Sequence, residues 1–256
     1  MREAGAYVWS RFHDQGEVKS KGRGNVVTEV DLGSERLIIE RLTSEFPDFQ
    51  IMAEESAAKT DDQSAAEYLW IIDPIDGTKN FSQGLPFFAV NLGLAHRGRM
   101  VLGLTYDPAL DELFIAEAGK GAFLNGRPIH VADRPTVKES LLGYDIGYDN
   151  DRAQYLLDFV GQIWPGVQSL RNMGSAALGL AYVACGRLDI YIHHSLYPWD
   201  YAPGIVLIQE AGGVVTERDG SEASLTMQGV VAGNASVHDD LLRLAGDSAW
   251  RWAGLR

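Results

Sequence analysis

Two aspartates stand three residues apart at the end of a short apolar run. Leu69-Trp70-Ile71-Ile72 leads straight into Asp73-Pro74-Ile75-Asp76-Gly77-Thr78. Carboxylates this close offer hard oxygen ligands to a cation such as Mg²⁺. The apolar run reads as a buried strand, and Asp-Pro followed by Asp-Gly reads as the turn that ends it. A helix opened by Gly77 and Thr78 would present their backbone N–H groups to a phosphate. Taken alone, D-x-x-D-G is more often a tight surface turn with aspartates at their usual positions.

The rest of the chain favours the chemical reading. Asp73-Pro74-Ile75-Asp76-Gly77-Thr78-Lys79-Asn80-Phe81 resembles the signature of the inositol monophosphatase family. Three more segments match in order: Val27-Thr28-Glu29-Val30-Asp31, Glu54-Glu55-Ser56, and Trp199-Asp200-Tyr201-Ala202 with Glu210-Ala211-Gly212-Gly213. The resemblance covers nearly the whole chain. It implies a lithium-sensitive, Mg²⁺-dependent phosphatase of a small phosphorylated metabolite.

Carried over residue by residue, the resemblance assigns roles. Glu54, Asp73 and the backbone carbonyl of Ile75 would ligate a first metal. Asp73, Asp76 and Asp200 would ligate a second, so that Asp73 bridges. The family uses Mg²⁺, about two or three ions per site, with Mn²⁺ as a substitute. Thr78 and Asp31 resemble the dyad that orients and activates the attacking water, and Glu54 joins them in catalysis. Asp76, Gly77 and Thr78 would touch the phosphate, and Gly174-Ser175-Ala176 matches a segment lining the substrate pocket. Glu55 adjoins a ligand and is not taken as one. Such chemistry suits these residue types. Phosphate monoesters hydrolyse extremely slowly unaided, and divalent metals both neutralise the phosphoryl charge and make water nucleophilic.

One position departs from the pattern. Seven residues before the W-D aspartate, inositol-hydrolysing members carry a glutamate that meets ring hydroxyls; here stands His193, followed by His194. The exchange points to altered substrate selection. Paired histidines also suggest zinc, but neighbours on an extended strand face opposite ways. By the same alternation, a His193 turned into the core would select nothing.

Composition sets bounds. A chain of 256 residues, 46% hydrophobic, suits one large domain or two intimate halves with a sizeable core. The formal net charge of −13 argues against nucleic acid, whose phosphates call for Lys and Arg. The lone Cys185 lies in an apolar run and cannot form an internal disulfide, so a cytoplasmic protein is expected. No apolar run reaches membrane-spanning length, and no secretory leader is expected. The family resemblance allows a homodimer.

The elements that must carry these residues can be placed in outline. Residues 2–13 read as an amphipathic helix, 19–25 as a mobile basic loop, and a second helix follows Asp31. Residues 49–53 form a short strand, and 57–67 a surface loop or short helix. From Phe87 to Val131 the pattern is an antiparallel meander, with Asn125-Gly126 as a hairpin turn. After about residue 135, strands and helices alternate. Ser236 is expected to cap the last long helix, and Pro203 to sit in the first turn of the helix that carries Asp200. The class is α/β (α+β). The resemblance implies a layered αβαβα sandwich whose halves, 1–134 and 135–256, meet near 132–138 with the site between them. The alternatives are a non-catalytic binder of metal or phosphometabolite, and a scaffold with acidic turns; the first should have lost a ligand, and the second needs four motifs by coincidence.

Overall fold

The structure, a computed structural model, describes residues 1–14, 16–22, 24–56 and 66–255. Two sheets form its framework. The first has seven strands: β3 (Gln50–Ala53), β4 (Tyr68–Asp76), β5 (Ala89–His96), β6 (Arg99–Asp107), β7 (Glu112–Glu117), β8 (Gly121–Leu124) and β9 (Arg127–Pro128). They lie side by side in chain order, parallel only between β3 and β4. From β5 onward this is the meander that the turn signals announced.

The second sheet has five strands, in the order β11 (Ser169–Asn172), β10 (Leu141–Asp145), β12 (Ile190–His193), β14 (Val230–Gly233) and β13 (Val214–Thr216). β10 runs parallel to both β11 and β12, while β14 is antiparallel to its neighbours.

Helices complete five layers. α1 (Arg2–Ser10) and α2 (Glu29–Glu45) cover the outer face of the first sheet: Ala4, Val8, Ile38 and Leu42 pack with Trp70, Ile72 and Val90. α5 (Ala176–Ala184) and α6 (Pro198–Glu210) fill the space between the sheets: Leu180, Val183, Ile205 and Leu207 join Leu69 and Ile71 on one side and Tyr191 and Val230 on the other. α4 (Asn150–Ile163), α7 (Ala235–Ala245) and the short α8 (Ala249–Trp252) back the second sheet, with Phe159, Leu241 and Trp250 against Leu142, Ile190 and Ile192. The chain is thus an αβαβα sandwich. β4 shows why its sequence is apolar without alternation. Leu69 and Ile71 face the middle layer while Trp70 and Ile72 face the outer one, so both sides are buried. Among the described residues, no helix is long and apolar enough to cross a membrane.

Several local expectations are revised. The stretch 19–25 is largely a hairpin tip: β1 (Val18–Ser20) pairs antiparallel with β2 (Val26–Thr28). Asp73-Pro74-Ile75-Asp76 is not a turn but the end of β4. The register slips between Asp73↔Asn91 and Asp76↔Ala89, so the extra residue is absorbed as a bulge. α2 begins before Asp31, because Thr28 caps it and accepts from the N–H groups of Val30 and Asp31. α7 is capped by Asn234 rather than Ser236, its Oδ1 accepting from Val237 N at 2.9 Å. Pro203 lies inside α6, beyond its first turn, because the helix already starts at Pro198. Most of the expected surface segment 57–67 lies outside the described residues.

Candidate active site and metal centre

The bulge at the end of β4 aims two carboxylates at one place. Asp73 Oδ1 accepts from Ile75 N at 3.0 Å, which holds the side chain against its own strand end. Gly77 then turns the chain at φ +90 into α3 (Thr78–Ser82). A Cβ at Gly77 would stand 3.0 Å from the Gly174 carbonyl oxygen and 3.2 Å from that of Phe87, so both conformation and space favour glycine here.

The second half of the chain supplies the rest. Asp200 lies in the first turn of α6 and accepts from Tyr197 N at 2.7 Å, where a carboxylate suits the helix dipole. Ser175 caps α5 and donates its hydroxyl to Asp76 Oδ2, which also accepts from Ala177 N at 3.0 Å. Asp76 is therefore seated on the N-terminus of a helix from the other sheet. Ligand oxygens of Asp73, Asp76 and Asp200 all lie within 4.8 Å of one another.

So tight a cluster of buried acids resists ionisation. Burial first, then the charges of Glu54, Asp76 and Asp200, push Asp73 well above the usual carboxylate range. Burial, then Asp76 and Glu54, do the same to Asp200. Burial lifts Asp76 to about 7 in spite of its bonds to Ser175 and Ala177. Three hard oxygen donors that repel one another suit a divalent cation, which would favour their ionised forms.

Beside the cluster lies the expected dyad. Thr78 Oγ1 sits 2.9 Å from Asp31 Oδ1 and 2.8 Å from the Ile75 carbonyl oxygen. The hydroxyl has one proton to give to these two acceptors. Asp31 Oδ2 accepts from both the backbone N–H (2.8 Å) and the hydroxyl of Thr28. Burial raises Asp31 to about 6 against the pull of those hydrogen bonds. A carboxylate so poised titrates near neutrality, where a general base is most useful.

Glu54 reaches the cluster through its charge, and Lys21 holds it. Lys21 Nζ donates to Glu54 Oε1 at 2.9 Å and to Glu55 Oε1 at 2.6 Å. Burial pushes Glu55 up to about 7, helped by Glu54. Thus the hairpin tip joins the site through Lys21, a residue that loop composition alone did not single out.

A cavity of about 730 Å³ opens from the cluster, with Asp76, Gly77, Lys79, Asp145, Tyr148, Gly174, Ser175, Ala176, His193 and Asp200 among its lining. Its size suits a small metabolite. Residues 174–176 and His193 are therefore at the cavity, as expected. His193 is only 3% exposed and its Nδ1 accepts from Ser195 N at 3.0 Å, so its proton is on Nε2. Burial, then His194 and Arg218, hold its pKa well below the usual value. The strand alternation used against zinc fails at this point. His194 lies past the end of β12, and the two rings stack at 5.5 Å with 16° between planes. The pair is nevertheless remote from the character of a metal site: both His194 nitrogens are buried without partners, and Arg218 and Arg152 depress its pKa after burial, to about 4.

Asp145 was missed. It is buried at the carboxyl end of β10, accepts from Met173 N at 2.9 Å, from Gly174 N, and from Tyr191 Oη at 2.7 Å. It thereby fixes the turn that carries Ser175. Its place at a strand's carboxyl end in the parallel part of a sheet, where α/β folds bind ligands, was the available signal.

The profile of the inositol monophosphatase family matches residues 1–248. The chain belongs to that family. Inositol monophosphatase 1 of Solanum lycopersicum is 41% identical over 242 residues, covering 93% of this chain and 89% of the relative. A Thermotoga maritima protein named fructose-1,6-bisphosphatase/inositol-1-monophosphatase is 36% identical over 229 residues, covering 90% and 86%. Among solved structures, the extragenic suppressor protein suhB of Bartonella henselae superposes with a TM-score of 0.89 at 33% identity, covering 96% and 95%. As an inositol monophosphatase family member the chain is a phosphatase, a phosphoric monoester hydrolase, and the family is metal-dependent.

Proposed function

We propose that the protein is a Mg²⁺-dependent phosphomonoesterase of a small phosphorylated metabolite, with Mn²⁺ as a substitute ion. The observation that carries this reading is the cluster of Asp73, Asp76 and Asp200 within 4.8 Å, set beside Asp31 and Thr78 at the mouth of the cavity. Glu54, Asp73 and the Ile75 carbonyl would hold one ion, and Asp73, Asp76 and Asp200 another. When bound, such ions neutralise phosphoryl charge and make water more acidic.

The chain's own groups do the rest. Thr78 orients the attacking water through its hydroxyl, and Asp31 receives the proton at Oδ1. Backbone N–H groups of Gly77 and Thr78 bind phosphate oxygens. The leaving alcohol lies toward Gly174, Ser175, Ala176 and His193. In this reading the halves 1–134 and 135–256 each supply part of the site, and the cleft between them selects the substrate.

Two substrates are named by the relatives, inositol monophosphate and fructose 1,6-bisphosphate. His193 favours neither a plain polyol nor any group that must donate to it. It is neutral, its Nδ1 is occupied by Ser195, and only the Nε2–H remains to offer. A second phosphate or a carboxylate on the substrate can accept from it. Inositol 1-phosphate should therefore rank below a sugar bisphosphate or a phosphoadenosine compound. The test is kcat/KM over such a panel, with Mg²⁺ and with EDTA, for wild type and His193→Glu. The reading fails if the wild type already prefers inositol 1-phosphate, if the substitution leaves the ranking unchanged, or if metal-stripped protein keeps full activity.

A further inference from the structure

Asp200 rides on a helix that breaks its own hydrogen-bond ladder. Pro203, inside α6, has no N–H for the carbonyl of Trp199 four residues earlier. A side chain from the first sheet serves that carbonyl instead. Asn91 Nδ2 donates to Trp199 O at 2.8 Å and to Asp200 O at 3.4 Å. Asn91 is wholly buried, as is Thr105, whose hydroxyl donates to Asn91 Oδ1 at 2.7 Å and so fixes which way the amide points.

The register shows why this meets the site. Asp73 on β4 pairs with Asn91 on β5, and Asn91 pairs with Thr105 on β6. Residues directly opposite share a sheet face, so all three look toward α6. Two residues along, Gly93 pairs with Gly103. A Cβ on Gly103 would stand 2.2 Å from the Pro203 carbonyl oxygen, and one on Gly93 3.3 Å from Pro203 Cγ. The glycine pair lets α6 descend onto the sheet at Pro203. The asparagine in the next row takes the carbonyl that the proline leaves unpaired.

We infer that Asn91 is a positioning residue for Asp200. By clamping the carbonyls of Trp199 and Asp200, it holds the first turn of α6 over the row that begins with Asp73, so that the two carboxylates meet. The inference rests on the proposed role of Asp200 as a metal ligand and adds the group that places it there. A plain structural role would lower stability without touching the metal centre.

The test reads Mn²⁺ binding to EDTA-stripped protein by electron paramagnetic resonance, alongside thermal unfolding of the metal-free form. Asn91→Ala should weaken Mn²⁺ binding about tenfold, the effect typical of groups that orient metal ligands. Adding Pro203→Ala restores an N–H for Trp199 O, and the double variant should recover to within about threefold of wild type. Should Asn91→Ala fail to fold, Thr105→Val keeps the amide but frees its orientation, and should show a smaller loss in the same direction. An Asn91→Ala or Thr105→Val protein that is less stable yet binds Mn²⁺ like wild type overturns the inference. So does a folded double variant without recovery. A wild type that binds no Mn²⁺ would overturn the metal-centre reading itself, which separates the two failures.

Discussion

Metal uptake at this site must displace protons. Burial and mutual repulsion place Asp76 at about 7 and push Asp73 and Asp200 well up. Only the ionised carboxylates bind a cation well, so lowering the pH weakens binding. A ligand with a pKa of about 7 reduces affinity by a factor of about 1.1 at about pH 8 and about 11 at about pH 6, a loss of about tenfold from Asp76 alone. Asp73 and Asp200 steepen the slope. Calorimetric titration of EDTA-stripped protein with Mg²⁺, in two buffers of different ionisation enthalpy, counts the protons released and gives the affinity at each pH. We expect net proton release and at least about a tenfold fall in affinity between about pH 8 and about pH 6. Asp200→Asn should release fewer protons. An affinity that is flat over this range, with heats independent of buffer, would refute the reasoning that these three acids form the ion's ligand set.

Two further outcomes follow from the geometry. Asp73→Asn removes the carboxylate central to the cluster and should lower kcat by about a thousandfold, or about 4 kcal/mol of barrier, whereas Glu55→Gln should do much less; kcat at saturating Mg²⁺, with circular dichroism as the fold control, decides, and equal losses would mean a wrong ligand set. Gly103→Ala would drive a Cβ to 2.2 Å from the Pro203 carbonyl oxygen, so chemical denaturation should show a loss of about 1–3 kcal/mol; unchanged stability would mean that α6 does not lie so close to the sheet.

The sequence made the layers and the acid cluster legible for different reasons. Strands with turn chemistry between them, such as 99–107 and 112–117, announce themselves through local pattern. The cluster was legible because its motifs resemble a family; no spacing relates Asp200 to Asp73 across 127 positions. What stayed hidden depends on contacts between distant elements. Ser236 and Asn234 are both plausible caps, and only packing chooses Asn234, whose amide also donates to the carbonyls of Ala132 and Arg134. Pro203 looked like a first-turn residue because Asp200 looked like the helix start. The helix begins at Pro198, and Asn91 makes the interior proline tolerable. The histidines were misjudged because alternation holds within a strand, and β12 ends at His193.

The placement of the site has a consequence for the whole fold. Asp31 and Asp145 sit at about 6 and Asp76 at about 7, each lifted first by burial. In the unfolded chain such carboxyls titrate at about 4. Between about pH 4 and about pH 7 the native metal-free protein therefore holds more protons than the unfolded one, and these groups lower stability as pH rises. A bound divalent cation reverses the trend by favouring the ionised forms. The acids stand at strand ends and first helical turns, where β4, β10 and α6 stop being purely apolar. Leu69 to Ile72, Leu142 and Ile205 to Ile208 form the core behind them. The burial that builds the sandwich thus raises the pKa values at its edge, so metal binding and protonation become competing ways to satisfy the same carboxylates.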